Sequence, residues 1–199
     1  MRLPRLAAAF ALSVAAIGTP ALGAPAGCPR IVDISGDASY GSLGKGTSDL
    51  DLHEIHIASG PRTVVLAVRL ASLAGTAPEL RIGSRVDVRI SLEPIDYFLA
   101  ARRAGDGTWR YTMTGVRIGA DGRPSEVPAR TVGGRVDAAA AEVVFMVNRS
   151  DFADRPDGRL IRLLSGRTYL GADASVMEVD RVDDTVAYRD RAPGCRSAA

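Results

Sequence analysis

Both histidines of the chain fall in one stretch, "TSDLDLHEIHI" (47–57), where His53 and His56 stand beside Asp49, Asp51 and Glu54. Imidazoles and carboxylates at this density are the raw material of a zinc site or of general acid–base catalysis. The spacing argues against a helical zinc site. A His-Glu-x-x-His helix sets its imidazoles at i and i+4 on one face, whereas the order here is His-Glu-Ile-His and the alternation reads as a strand. On a strand His53 and His56 point to opposite faces, so one metal cannot take both while the chain stays extended. Asp49, Asp51 and His53 would share a face. The alternative is a loop that enters a strand with Ile55 and Ile57 in the core.

No Gly-x-Ser-x-Gly elbow is present, and two histidines leave few choices of base. A secreted hydrolase using His53 or His56 with the nearby carboxylates is the class that competes with a non-catalytic module. "SYGSLGKGT" (39–47) departs from a phosphate loop: Ser39 replaces the first glycine and Gly46 the magnesium-holding hydroxyl, so it reads as a loop. Hard oxygen ligands are better represented. Asp33 and Asp37 in "VDISGDA", Asp51 in "DLD" and Asp184 in "RVDD" could converge at one end of a fold, where a calcium ion would relieve their mutual repulsion. The competing reading is that such aspartates make Asx turns at solvent. Trp109 and Tyr111, two apart on a strand, share a face. They form either an aromatic platform for an extracellular ligand, carbohydrate or protein, or part of the core.

These groups need a scaffold, and period-2 patterning supplies it. "TVVLAVRL" (63–70) sets Val64, Leu66, Val68 and Leu70 on one face, and "RVDVRISL" (85–92) does the same with Val86, Val88, Ile90 and Leu92. Turn residues at "EPID", "AGDG" and "DAAA" separate further strands at hairpin spacing, and Gly133 and Gly134 in "RTVGGRV" mark a bulge or a bend at a sheet corner. The one helical turn expected is "NRSDFA" (148–153), with Ser150 as its cap and Phe152 packing inward. Eight to ten short strands and no long amphipathic helix predict an all-β, antiparallel two-sheet sandwich, jelly-roll-like.

The first 23 residues carry Arg2 and Arg5, an apolar run from Leu6 to Ile17, and small residues before Ala24, the pattern of a secretory signal peptide. The run is too short to span a bilayer. Residues 24–199 are then one domain, secreted and extracellular. Without Arg2 and Arg5 the 25 lysines and arginines fall to 23, against 23 aspartates and glutamates, and a neutral chain does not call for nucleic acid as a partner. Export places the two cysteines, Cys28 and Cys195, in an oxidising compartment, where they pair and tie the ends of the domain together.

The order of "DISGDA", "LDLHEIHI", "YFLAARR" and "GRVDAAAAEVVFMV" resembles a group of small secreted proteins of GC-rich bacteria. That resemblance implies a β-sandwich distantly like DOMON domains or family-9 carbohydrate-binding modules, without an assigned activity. The chain departs from the haem-binding branch, since Met113, Met146 and Met177 offer no recognisable Met and His axial pair. Intact mass of the exported protein is expected to equal that of residues 24–199 less two hydrogens. Retention of the leader, or two thiols open to alkylation without reductant, is the contrary result.

Overall fold

The computed structural model describes residues 28–38, 49–73, 83–171, 177–192 and 195. The leader read in residues 1–23 and the loop at 39–47 lie outside the described residues. The described chain is all-β, in two antiparallel sheets. One has the order β1 (Arg30–Val32), β2 (Leu52–Ser59), β3 (Thr63–Leu70), β9 (Glu142–Asn148), β8 (Gly133–Asp137). The other runs β11 (Met177–Arg189), β10 (Leu160–Leu170), β4 (Ser84–Leu92), β5 (Ile95–Arg103), β6 (Trp109–Ile118), β7 (Pro124–Thr131). Hairpins join β2 to β3, β8 to β9 and β10 to β11, while β4 to β7 form a meander.

The core lies between the sheets and is built from the residues that alternation selects. Val64, Leu66 and Val68 from β3 meet Val86, Val88 and Ile90 from β4, with Ile55, Phe145 and Tyr97, all buried. Edge-to-face pairs lock the aromatic members: Tyr111 against Phe145 at 5.9 Å and Tyr97 against Phe152 at 5.2 Å between ring centroids. The "RTVGGRV" segment is two strands in two sheets. The chain leaves β7 and enters β8 across buried Val132, whose N–H donates to the Tyr111 carbonyl at 3.1 Å. A Cβ at Gly134 would enter the Tyr111 ring, so the missing side chain is what lets β8 rest there. The bend expected from the glycine pair is thus a sheet-to-sheet crossing.

The expected helical turn is a single 3-10 turn, Arg149–Asp151, and its N-cap is Asn148 rather than Ser150. The Asp151 carboxylate accepts the Asn148 N–H at 3.2 Å, and Phe152 packs inward as expected. The turn buries Arg149. Its guanidinium donates to both Asp190 oxygens at 2.7 and 2.8 Å and to the Gly60 carbonyl at 3.0 Å, joining the end of β11 to the β2–β3 loop. Burial works to raise the Asp190 carboxyl, but the Arg149 bonds, the Gly158 N–H and the Ser59 hydroxyl together outweigh it and hold it below the ordinary range.

Cys28 and Cys195 form a disulfide with Cα atoms 5.1 Å apart. Beside it the Ser59 hydroxyl and the Tyr188 hydroxyl lie 2.6 Å apart, and Ser59 N–H donates to the Cys195 carbonyl at 3.2 Å. On the same flank the sheets come close enough at Gly166 of β10 that a Cβ would run into Ile55 and Leu52 of β2. Gly166→Ala is therefore expected to destabilise by about 1–3 kcal/mol through overpacking, read as a lower urea midpoint at unchanged slope. A midpoint equal to that of the unsubstituted protein would show that β2 can yield.

Candidate functional site

The carboxylates gather where β1 ends and β11 begins. Val32 is the last residue of β1, and the turn that follows carries Asp33 and Asp37, with Gly36 at φ +87°, a backbone state that costs glycine nothing. Asp51, buried at the entry to β2, fixes this turn by accepting the N–H groups of Gly36 at 2.8 Å and Ala38 at 3.3 Å. From the other sheet comes Asp180 on β11. A register irregularity between Thr168 and Tyr169 of β10 lets both Val179 and Asp180 lie buried, with Asp180 opposite Thr168. Asp180 accepts the Leu52 N–H at 2.6 Å and the Arg181 N–H at 2.7 Å.

One oxygen each from Asp33, Asp37 and Asp180 lie within 4.8 Å of one another. Asp33 Oδ2 and Asp37 Oδ1 are shielded from solvent and have no hydrogen-bond partner. Unpaired buried carboxylate oxygens are costly, and the electrostatics register it. Burial pushes the Asp180 carboxyl up to about 6; its two N–H donors work against that, and the charges of Asp33 and Asp37 add to it. Burial also raises the Asp33 carboxyl, helped by Asp37 and Asp51 and opposed by the Ile34 N–H and His53. An all-oxygen donor set of this kind suits a hard divalent cation and not a soft one.

Of the four aspartates read from the sequence, Asp33 and Asp37 meet, and Asp51 stands behind them as the turn's anchor. Asp184 does not join them. It is exposed on β11 and accepts the Thr185 N–H at 2.6 Å, and Asp180 occupies the place expected for it. The sequence did hold a signal for Asp180: it lies in the same two-residue phase as Val182 and so falls on the inward side of a strand. Neither histidine is part of this group, although His53 borders it through Asp51. His53 Nε2 lies 3.2 Å from Asp51 and His56 Nε2 lies 2.9 Å from Glu54, each imidazole taking the carboxylate two residues before it on the chain. A register shift between Leu52 and Glu54 breaks the strict alternation expected of this stretch, and Leu52, Ile55 and Ile57 are the residues turned inward.

Trp109 and Tyr111 do not make an exposed platform. Tyr111 lies in the core against Phe145, and burial pushes its hydroxyl up to about 12, with Arg135 working in the opposite direction. Trp109 packs half-buried on the same core.

Fold and site together define a disulfide-closed antiparallel β-sandwich with a carboxylate cluster at one end of its seam. Comparison with models of protein families, with curated proteins and with solved structures finds no match. Among the described residues no helix is long and apolar enough to cross a membrane.

The raised carboxyls set a pH dependence. Asp180 binds its proton more tightly folded than unfolded, so its contribution to stability is full below about pH 4 and is lost as pH rises through 6, a difference on the order of 3 kcal/mol. In chelator, the thermal midpoint is expected to rise on acidification from pH 7 to pH 5. Asp180→Asn keeps an acceptor for the Leu52 N–H and is expected to flatten that rise while stabilising the protein at pH 7. A steep rise that survives the substitution assigns the effect elsewhere.

Proposed function

We propose that the protein is a secreted, non-catalytic binding module, a β-sandwich whose seam is braced by a structural calcium ion among Asp33, Asp37 and Asp180. The observation that carries the cation is the pair of shielded carboxylate oxygens, Asp33 Oδ2 and Asp37 Oδ1, without a protein partner beside a third carboxylate. A divalent ion would satisfy all three and would favour ionised Asp180. The disulfide supports export, because such bonds persist in oxidising compartments. Non-catalytic binding is supported by the sequence, which holds no nucleophile elbow and only two histidines.

Calcium is expected to raise the thermal midpoint and chelator to lower it. A hundredfold excess over Kd corresponds to about 2.7 kcal/mol if only the native state binds. Asp37→Asn is expected to abolish the response, whereas Asp184→Asn leaves it intact. A midpoint indifferent to both calcium and chelator removes the cation from the reading. Esterase, glycosidase or protease activity lost in His53→Ala or His56→Ala would replace the module with the hydrolase.

A further inference from the structure

In a two-layer sandwich the face of each antiparallel sheet turned away from the core meets water. The outward face of the five-stranded sheet does not. Alternation turns Val65 and Ala67 of β3 and Val144 of β9 outward, where they form a second apolar cluster apart from the core. These three are 4%, 2% and 0% exposed, yet among the described apolar side chains only Met146 packs against them. The polar neighbours are hidden as well. Glu142 is 3% exposed, and the Nε and Nη2 atoms of Arg135, the residue opposite Val144, are shielded from solvent without a hydrogen-bond partner. A face open to water hides neither a carboxylate nor a guanidinium fork, so this one is covered.

The chain holds one segment suited to cover it. Residues 6–17 are apolar apart from Ser13, and their many alanines allow close approach to a face made shallow by Ala58, Ala67 and Gly133. The N-terminal segment joins the described chain at Cys28, two residues before β1, which is the edge strand of this same sheet. The ten residues 18–27 reach at most about 35 Å, whereas β9 stands three strand spacings from β1, about 14 Å. Residues 39–48 and 74–82 suit the place less. Each is tied at both ends, the first between β1 and β2 and the second between β3 and β4, and each has fewer large apolar side chains than residues 6–17.

We infer that in the uncleaved chain the apolar run at residues 6–17 docks on the outward face of the five-stranded sheet and covers Val65, Ala67 and Val144. Docking removes the apolar surface of both partners from water, which is its driving force. Cleavage before Ala24 takes the cover away and leaves a contiguous apolar patch with a charged rim, the kind of surface on which proteins meet partners. The leader thus keeps a contact face closed until it is removed. The inference goes beyond the binding-module reading and rests on neither the calcium ion nor the cleavage, which decides only when the face opens.

Photocrosslinking of the full chain, oxidised so that Cys28 and Cys195 are paired, tests it. A photoreactive phenylalanine analogue in place of Met146, beside the patch, is expected to attach to the tryptic peptide that contains residues 6–17. Leu12→Glu/Val14→Glu in the full chain is expected to abolish that product and to raise the fluorescence of a hydrophobic dye several-fold. Both positions lie outside the two sheets, so the β-sheet circular dichroism is expected to stay the same and an uncovered face is told apart from an unfolded one. Attachment to residues 39–48 or 74–82, to a second copy of the chain, or to nothing overturns the inference. Dye fluorescence that the double variant leaves unchanged overturns it too. If crosslinking fails while calcium still shifts the thermal midpoint, the cover falls and the braced module stands.

Discussion

The bond from the Leu52 N–H to the Asp180 carboxylate joins the two sheets, and the arrangement of the seam follows from it. Burial of apolar faces supplies most of the drive to stack two sheets, yet burial is non-directional and does not choose which edges lie together. The choice here is made by polar and covalent links. Asp180 reaches across to β2 near one end of the flank, and Thr168 supports it by donating to the Leu50 carbonyl at 2.7 Å. At the other end the disulfide and the Ser59–Tyr188 contact do the same. The aspartate turn can sit at the end of β1 because Asp51, adjacent to Leu52, is held in register by this seam.

Placing an ionisable group in that position has a consequence for the site. An asparagine could accept the Leu52 N–H without the penalty of a buried charge. A carboxylate there keeps a negative charge beside Asp33 and Asp37, and the three together form a concentration of anionic oxygen that the protein's own donors only partly satisfy. Elsewhere the chain deals with buried charge in the opposite way. Arg149 and Asp190 meet through two parallel hydrogen bonds, leaving each partner fully used. The contrast between a closed pair and an open cluster within one molecule is what the proposed cation site rests on.

Much of the fold could be read directly. β3 coincides with its expected span, and β4 differs by one residue, because a strand with one face in the core writes that face into every second position. The cysteine pairing was readable from count and compartment. What could not be read were the places where alternation is interrupted. The bulge beside Thr168 turns Val179 inward next to Asp180, and the shift between Leu52 and Glu54 resets the histidine strand; both depend on pairing partners far away in sequence. Asp184 lies four residues further along β11, which continues through "RVDD", and is exposed there. The fate of Tyr111 was likewise set by a partner, Phe145, that no local pattern names.

The two flanks of the sandwich are both covalent. On one, the backbone itself passes between the sheets at Val132, from β7 to β8; on the other, sulfur joins Cys28 to Cys195. The second link also sets how a pulling force travels. Tension applied to residues before Cys28 and after Cys195 runs from one cysteine to the other through the sulfur–sulfur bond. The 167-residue separation between them stays outside the line of load. The strands bear no shear while that bond holds, and the domain behaves under traction as a short inextensible link with a folded body hanging from it.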